Sequence, residues 1–389
     1  MTKRKLGIAV IGVGGAVGTT MFAGIELIRK GVIERQGLPL GNLSVDGFVP
    51  YEDIEIAGWD LYETHLAKAA EEHDVLTYQQ FAAVEDELRE AKPWPGIGNP
   101  DFVTHIHGTN KIAADGHRSA IARIQTDLIR FQERCESVVV INLASTEKLA
   151  DEGNEAFNNL VGLDRLLDEN AAEISPAILY AYAAISAGVP YGNFTPSVAA
   201  DIPALIELAE RERVPIAGKD GKTGQTFIKS VLAPAFKSRA LKVEGWFSTN
   251  ILGNRDGLVL SDEDSLASKV KTKSSLLDDI LGYRVEDHLV DIRYYRPRKD
   301  NKEAWDNIDL SGFLGQPMQL KINFLCRDSI LAAPLAIEIA RCLDLARTRG
   351  ESGIQEQLSV FFKLPMSSGG VPEHAFHQQE SKLLEWLTK

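Results

Sequence analysis

The chain has 389 residues, 44% of them hydrophobic and 25% charged, ordinary globular proportions that suggest about two domains. Its formal net charge of −13 argues against an extended nucleic-acid footprint, although lysines gathered locally can still hold a small anion. Cys135, Cys326 and Cys342 form no paired or metal-ligand spacing, and Glu338, Arg341 and Asp344 interrupt the apolar stretch from Ile330 to Ala346, so neither a disulfide framework nor a membrane span is expected and a soluble cytoplasmic protein is.

The basic and then apolar start runs into glycines without a cleavage site and reads as a first strand. Gly7 to Val13 is a short apolar run, and Val17 to Lys30 has helical character, so the chain opens as a βαβ unit. Asp53 to Gly58 alternates and ends at Gly58-Trp59-Asp60, a second strand tip, with a helix following over Tyr62 to Glu72. Lys92 to Gly108 carries Pro93, Pro95 and Pro100 and reads as loop. Ser137 to Leu143 is nearly continuous in apolar residues, the pattern of a parallel strand covered on both faces, with Ala144-Ser145-Thr146 at its C-terminal edge. Helical segments continue to about Ala187, and Tyr191 to Ser197 is a loop with strand character.

Beyond about residue 200 the pattern changes. Ala240 to Leu252, His288 to Pro297 and Met318 to Asp328 read as longer strands. Met318, Leu320, Ile322 and Phe324 alternate with Gln319, Lys321 and Asn323, the one-face-buried habit of an antiparallel sheet. Ser329 to Thr348 and Gln379 to Leu387 return to helix.

The loop Gly12-Val13-Gly14-Gly15-Ala16-Val17-Gly18-Thr19-Thr20 follows a strand and opens a helix, where glycines let backbone N–H groups approach a pyrophosphate. It is GxGxxxG, with Val17 where the usual third glycine stands, and a tight turn without a ligand has the same form. Asp60 is the candidate for the adenosine ribose hydroxyls, which favours NAD over NADP; its distance from the loop requires an insertion, and an exposed strand end is the alternative.

Gly218 to Thr226 first suggests a P-loop, which fails because Ile216 stands where a glycine belongs. A strand–loop–helix junction fits better: Thr223, Gly224, Gln225 and Thr226 offer hydroxyls and N–H groups at a helix N-terminus, an anion cradle, with a plain N-cap by Thr223 as the alternative. In Asn250 to Gly257, the amides of Asn250 and Asn254 and the carboxylate of Asp256 can orient sugar hydroxyls or hold a cation, or can form an Asx-rich turn. Lys269 and Lys273 share a face if helical. Lys302 follows in Asp300-Asn301-Lys302 and Lys363 in Phe361 to Pro365; singly, each reads as a surface lysine.

Together these stretches resemble the inositol-1-phosphate synthases. GVGGAVGTT, Gly58 to Asp60, GKTGQT with Lys229-Ser230, NILGNRDG, SKVKTK, DNK, RDSILAAP and FFKLPM run in that family's order over nearly the whole chain. Ala16-Val17 stand where many members carry two asparagines, and Gly192 to Pro196 is a loose version of a more amide-rich loop. The resemblance implies an α/β fold: a Rossmann-type doubly wound parallel sheet with an inserted α+β catalytic and oligomerisation domain. The implied division is 1–200 for NAD binding, 201–328 for catalysis and tetramerisation, and 329–389 for a C-terminal helix and tail returning to the first domain.

It also implies an isomerase that turns D-glucose 6-phosphate into myo-inositol 1(3)-phosphate through oxidation at C5, enolisation at C6, aldol closure onto C1 and reduction. NAD stays tightly held, and the assembly is a homotetramer. By the same resemblance Gly12, Gly14, Gly15, Ala16, Val17, Gly18, Asp60, Ser145, Thr146, Asp220 and Asp256 hold the cofactor. Thr223, Gly224, Gln225, Thr226, Asn250 and Asn254 hold the substrate. Lys363 shuttles the C5 hydroxyl proton with Asp328 orienting it, Lys269 sits near the ketone or enolate, and Lys273 and Lys302 sit near O1 or O5. A divalent or monovalent cation is an open question where phosphate and nicotinamide meet; Asp256 and Asp328 are its candidate ligands, and no motif marks a metal site. An ordinary sugar-phosphate dehydrogenase that releases NADH would share this site, and a synthase of another cyclitol phosphate has the same sequence signature. A non-catalytic NAD-binding sensor would have no need of the lysines.

Overall fold

The computed structural model describes residues 4–103, 106–148, 153–253 and 276–389. The apolar run of β1 (Leu6–Ile11) is buried at every position. It can be, because its alternate residues enter different cores: Leu6, Ile8 and Val10 face one, Ala9 and Ile11 the other. β1 pairs in parallel with β2 (Ile54–Asp60) on one side and β4 (Ser137–Asn142) on the other, Leu6 lying opposite Ile54 and Ser137. β3 (Trp94–Pro95), β5 (Tyr191–Asn193), β6 (Pro215–Ala217) and β11 (Gly353–Ile354) complete a parallel sheet in the order β11-β6-β5-β4-β1-β2-β3. From β1 the chain moves outward through β2 and β3, then crosses to β4 on the opposite side. Between the carboxyl ends of β1 and β4 there is consequently a topological switch point, where such sheets bind ligands.

Helices cover both faces of this sheet. In chain order the labelled helices are α1 (Ala16–Arg29), α2 (Leu66–His73), α3 (Tyr78–Glu90), α4 (His117–Gln132), α5 (Leu160–Asp168), α6 (Pro176–Ser186), α7 (Pro203–Arg211), α8 (Gly224–Ser238), α9 (Asp328–Thr348) and α10 (Phe376–Leu387). α1, α9 and α10 share one core with β1 and β4, and α4 to α7 fill the other. The seven-stranded sheet continues past residue 200, because β6 pairs with β5. β6 lies beyond the expected boundary at 200, and a strand of three buried residues is too short to show a period.

The second sheet is β10-β9-β7-β8, built from β7 (Lys242–Leu252), β8 (Asp287–Tyr294), β9 (Asn301–Ser311) and β10 (Pro317–Arg327). α8 packs on it through Ala233 and Phe236 against Trp246, Ile308 and Leu310. β9 runs antiparallel to β7 and β10, but β7 and β8 are parallel, so the sheet is mixed where alternation suggested antiparallel. Alternation reports which face is covered and carries no information on strand direction. β9 escaped the sequence reading because its inward positions include Asp306, wholly buried, which accepts hydrogen bonds from Trp246 Nε1 (2.8 Å) and Ser248 Oγ (2.6 Å). Among the described residues, no helix is long and apolar enough to cross a membrane.

Candidate functional site

At the switch point β1 leads into Gly12, which takes φ +85°, a conformation side chains rarely adopt, and a Cβ there would press on the Ala144 backbone at 3.1 Å. Gly18 allows α1 to press on the loop, since its Cβ would lie 2.5 Å from Val13 O. These two close approaches, with the extended N-cap Gly15, which has no side-chain cap, leave the first turn of α1 turned to a cleft that Gly12, Gly15, Ala16, Val17 and Gly18 line. Asp60 stands at the tip of β2, 46 residues after Gly14 in sequence, and its Oδ2 accepts the Gly14 N–H at 2.9 Å. His73 of α2 contacts the Gly14 carbonyl at 2.9 Å. The segment between α1 and β2 is the insertion that the spacing demanded.

Ser145 and Thr146 follow β4 along the same cleft, and Glu147 lines it beside them. The Glu147 N–H donates to Ser197 Oγ at 2.9 Å, and its own Oε1 accepts the Ala177 N–H from the first turn of α6 at 2.9 Å. Burial pushes its carboxyl up to about 7, with the Ser175 hydroxyl and the Ala177 N–H opposing. No motif singled Glu147 out, because one acid after a strand carries no spacing signal.

The far end of the cleft is built from segments distant in sequence. Residues 218–222 run antiparallel to residues 361–366: the Lys363 N–H donates to Asp220 O at 2.6 Å, Lys219 to Leu364 O at 2.7 Å and Met366 to Gly218 O at 2.8 Å. This ladder sets Lys363 Nζ 2.6 Å from Asp220 Oδ1, with side chains 14% and 7% exposed. A second pair lies beside it: Asp328 Oδ1 accepts the Thr223 hydroxyl at 3.2 Å and Lys302 Nζ at 3.3 Å. Lys302 projects from β9 toward the start of α8, its Nζ 3.7 Å from where a Gly224 Cβ would stand. Asp220, Thr223, Lys302, Asp328 and Lys363 all line the cleft that begins at the glycine loop.

Three expectations change. The carboxylate that orients Lys363 is Asp220, expected at the cofactor, while Asp328 pairs with Lys302. Thr223 is the N-cap of α8 but makes no capping bond; its hydroxyl is given to Asp328. Gln225, Thr226 and Asn250 are buried behind the cleft wall. The Gln225 amide donates to Thr249 O and Trp305 O, and Asn250 Nδ2 donates to Gln225 Oε1, so these side chains fasten α8 to the second sheet. Lys269, Lys273, Asn254 and Asp256 lie outside the described residues. Among the described residues no three histidine, cysteine or acidic side chains gather as a metal site, and Asp328 faces an ammonium.

The residues present fit a dinucleotide: glycines where a Cβ would collide, a helix start turned to the cleft, and an acid at the second strand tip. The family model of myo-inositol-1-phosphate synthase matches residues 43–388. Inositol-3-phosphate synthase 1 of Bacteroides thetaiotaomicron is 41% identical, covering 96% of this chain and 93% of its own length. The inositol-3-phosphate synthase of Saccharomyces cerevisiae is 31% identical, covering 86% and 72%. The crystal structure of the Caenorhabditis elegans inositol-3-phosphate synthase matches with a TM-score of 0.91 at 27% identity, over 100% of this chain and 86% of that one.

Proposed function

The chain belongs to the myo-inositol-1-phosphate synthase family, and on that premise we propose that its cleft converts D-glucose 6-phosphate to myo-inositol 1(3)-phosphate with NAD held at the glycine loop. The observation that carries this reading is the convergence of two lysine–carboxylate pairs, Lys363–Asp220 and Lys302–Asp328, on the cleft that starts at Gly12. Bound NAD supplies a hydride acceptor and then a donor, so the cycle has no net redox change. Gly12 to Gly18 would hold its pyrophosphate and Asp60 its ribose hydroxyls, with Ser145 and Thr146 along the same wall.

The chain's own residues handle protons and charge on sugar oxygens. Lys363 takes the proton of the C5 hydroxyl as the neutral amine and returns it later from the ammonium, while Asp220 accepts its N–H and fixes it in place. Once C5 is a ketone the C6 proton becomes acidic and passes to a neutral lysine amine of the set, while an ammonium near the ketone oxygen stabilises the enolate. The C6 enolate attacks the C1 aldehyde, and Lys302, held by Asp328 and Thr223, meets the oxyanion that forms at O1. Lys269 and Lys273 complete the amine set by family resemblance, and Asn254 and Asp256 position the sugar on the same ground. The phosphate is gripped by Thr223 and the backbone that opens α8. Positioned acid–base groups of this type typically contribute about 10²–10⁴-fold.

The outward face of the second sheet exposes Phe247, Leu289 and Leu325, which supports assembly through it into a homotetramer; a cytoplasmic location accords with this chemistry. The test is to incubate purified protein with glucose 6-phosphate and NAD and identify the phosphorylated product by NMR. A cyclitol phosphate without accumulating NADH is expected; NADH rising in step with substrate consumed would replace this reading with a dehydrogenase.

A further inference from the structure

The loop that carries Asp220 and Thr223 also carries Lys222, whose side chain leaves in another direction. Lys222 is 4% exposed, and its Nζ donates to Oε1 of Gln379, which is wholly buried on α10. Gln379 is held in turn by donating its Nε2 to Glu373 O at 2.5 Å. One turn earlier on α10, Phe376 packs edge-on against Phe227 of α8 at 5.2 Å and lies 6.0 Å from the Lys222 amine. Just ahead of α10, His374 approaches the Asp279 carboxylate at 3.7 Å. The rest of α10 is anchored elsewhere, with Leu383, Trp386 and Leu387 in the core of the seven-stranded sheet. One helix near the end of the chain therefore touches the substrate loop and the helix that the loop opens, and the residue two before it reaches the segment preceding β8.

We propose that Lys222 and Gln379 are positioning residues, through which α10 holds the Asp220–Thr223 loop in the register that sets Asp220 against Lys363 and Thr223 against Asp328. Packing alone does not call for this pair. A lysine buried with its amine on a neutral amide carries a desolvation cost that a methionine would avoid, and burial drives its amine down to about 7 against the opposing pull of the Glu373 carboxylate. What the amine adds is a directed bond from this loop to a helix fixed in the first core. The loop's own amides then keep their partners: Asp220 N–H to Thr195 O at 3.0 Å, Gly221 N–H to Phe194 O at 2.9 Å, and Lys222 N–H to Phe361 O at 2.7 Å. Misplacement of a catalytic group by about 1 Å can lower turnover on the order of 10²-fold.

The inference rests on the synthase reading for its catalytic consequence but not for its structural one, and the test separates the two. Lys222→Met, Gln379→Leu, the double variant and Gln379→Glu, which keeps an acceptor for the amine, are compared as full-length enzyme. Expected are faster amide hydrogen exchange at residues 220–222, a roughly 10–100-fold fall in kcat, an unchanged Kd for NAD and no loss of Tm in Lys222→Met. The double variant should be no worse than the poorer single one, and Gln379→Glu should recover most of kcat. Unchanged exchange and unchanged kcat in Lys222→Met and Gln379→Leu would overturn the proposal, as would a kcat loss that merely follows a fall in Tm. Faster exchange in an enzyme that makes no cyclitol phosphate would leave the helix-to-loop link standing and refute the synthase reading instead.

Discussion

Glu147 offers a test in which the structure supplies the magnitude. Its carboxyl is 6% exposed, and burial lifts it from 4.5 to about 7. Between those two values the folded protein keeps a proton that the unfolded chain has already released. Stability is therefore lost as pH rises through this window: at about 1.4 kcal/mol per pH unit from 4.5 to about 7 the full loss is about 3.5 kcal/mol, of which about 3 falls between pH 4.5 and pH 8. Glu147→Gln has the shape of the protonated acid, keeps an acceptor for the Ala177 N–H and does not ionise. Relative to wild type, it should gain about 3 kcal/mol of stability between pH 4.5 and pH 8. Urea unfolding of both proteins at the two pH values and one fixed protein concentration measures this, and all other titrating groups cancel in the comparison. A stability difference that stays the same at both pH values would refute the reasoning, because Glu147 would then titrate alike folded and unfolded.

Lys363→Ala and Asp220→Asn should each lower kcat about 10²–10⁴-fold while NAD binding, followed by fluorescence titration, survives; the double variant should lose little more, since the two groups form one unit. Lys302→Ala should lower kcat over the same range, and normal turnover in both lysine variants would sink the amine assignment. Asp60→Ala should weaken NAD about 10–100-fold, as loss of charged hydrogen bonds does, and narrow the preference over NADP, both read from Kd values. Gly58→Ala would put a Cβ 1.9 Å from Val10 O and should cost about 3 kcal/mol or more by pushing β2 off β1, seen as a drop in Tm.

Much of the fold was legible where a local pattern was long enough to have a period. The glycine loop between a buried strand and a helix, the continuous apolar run of β4 and the strand–loop–helix junction at 218–224 all announced themselves. The two- and three-residue strands β3, β6 and β11 did not, because so short a piece shows neither alternation nor length. β9 was hidden by a buried aspartate in an inward position, which its Trp246 and Ser248 hydrogen bonds and the nearby Lys229 charge make tolerable.

For the site, residue types and their order along the chain pointed to the dinucleotide loop and, through collinear motifs, to Lys302 and Lys363, which line the same cleft, while Lys269 and Lys273 lie outside the described residues. Which carboxylate serves which lysine was decided in three dimensions. Lys363 meets Asp220 across 143 residues because two segments without regular strand length pair edge to edge, and Lys302 meets Asp328 because β9 and β10 lie in one sheet. Periodicity and turn chemistry are properties of neighbours in sequence, so the chain states them on its own. A charge pair depends on where distant backbones come to rest, and that is settled only when the cores on either side of the sheet close.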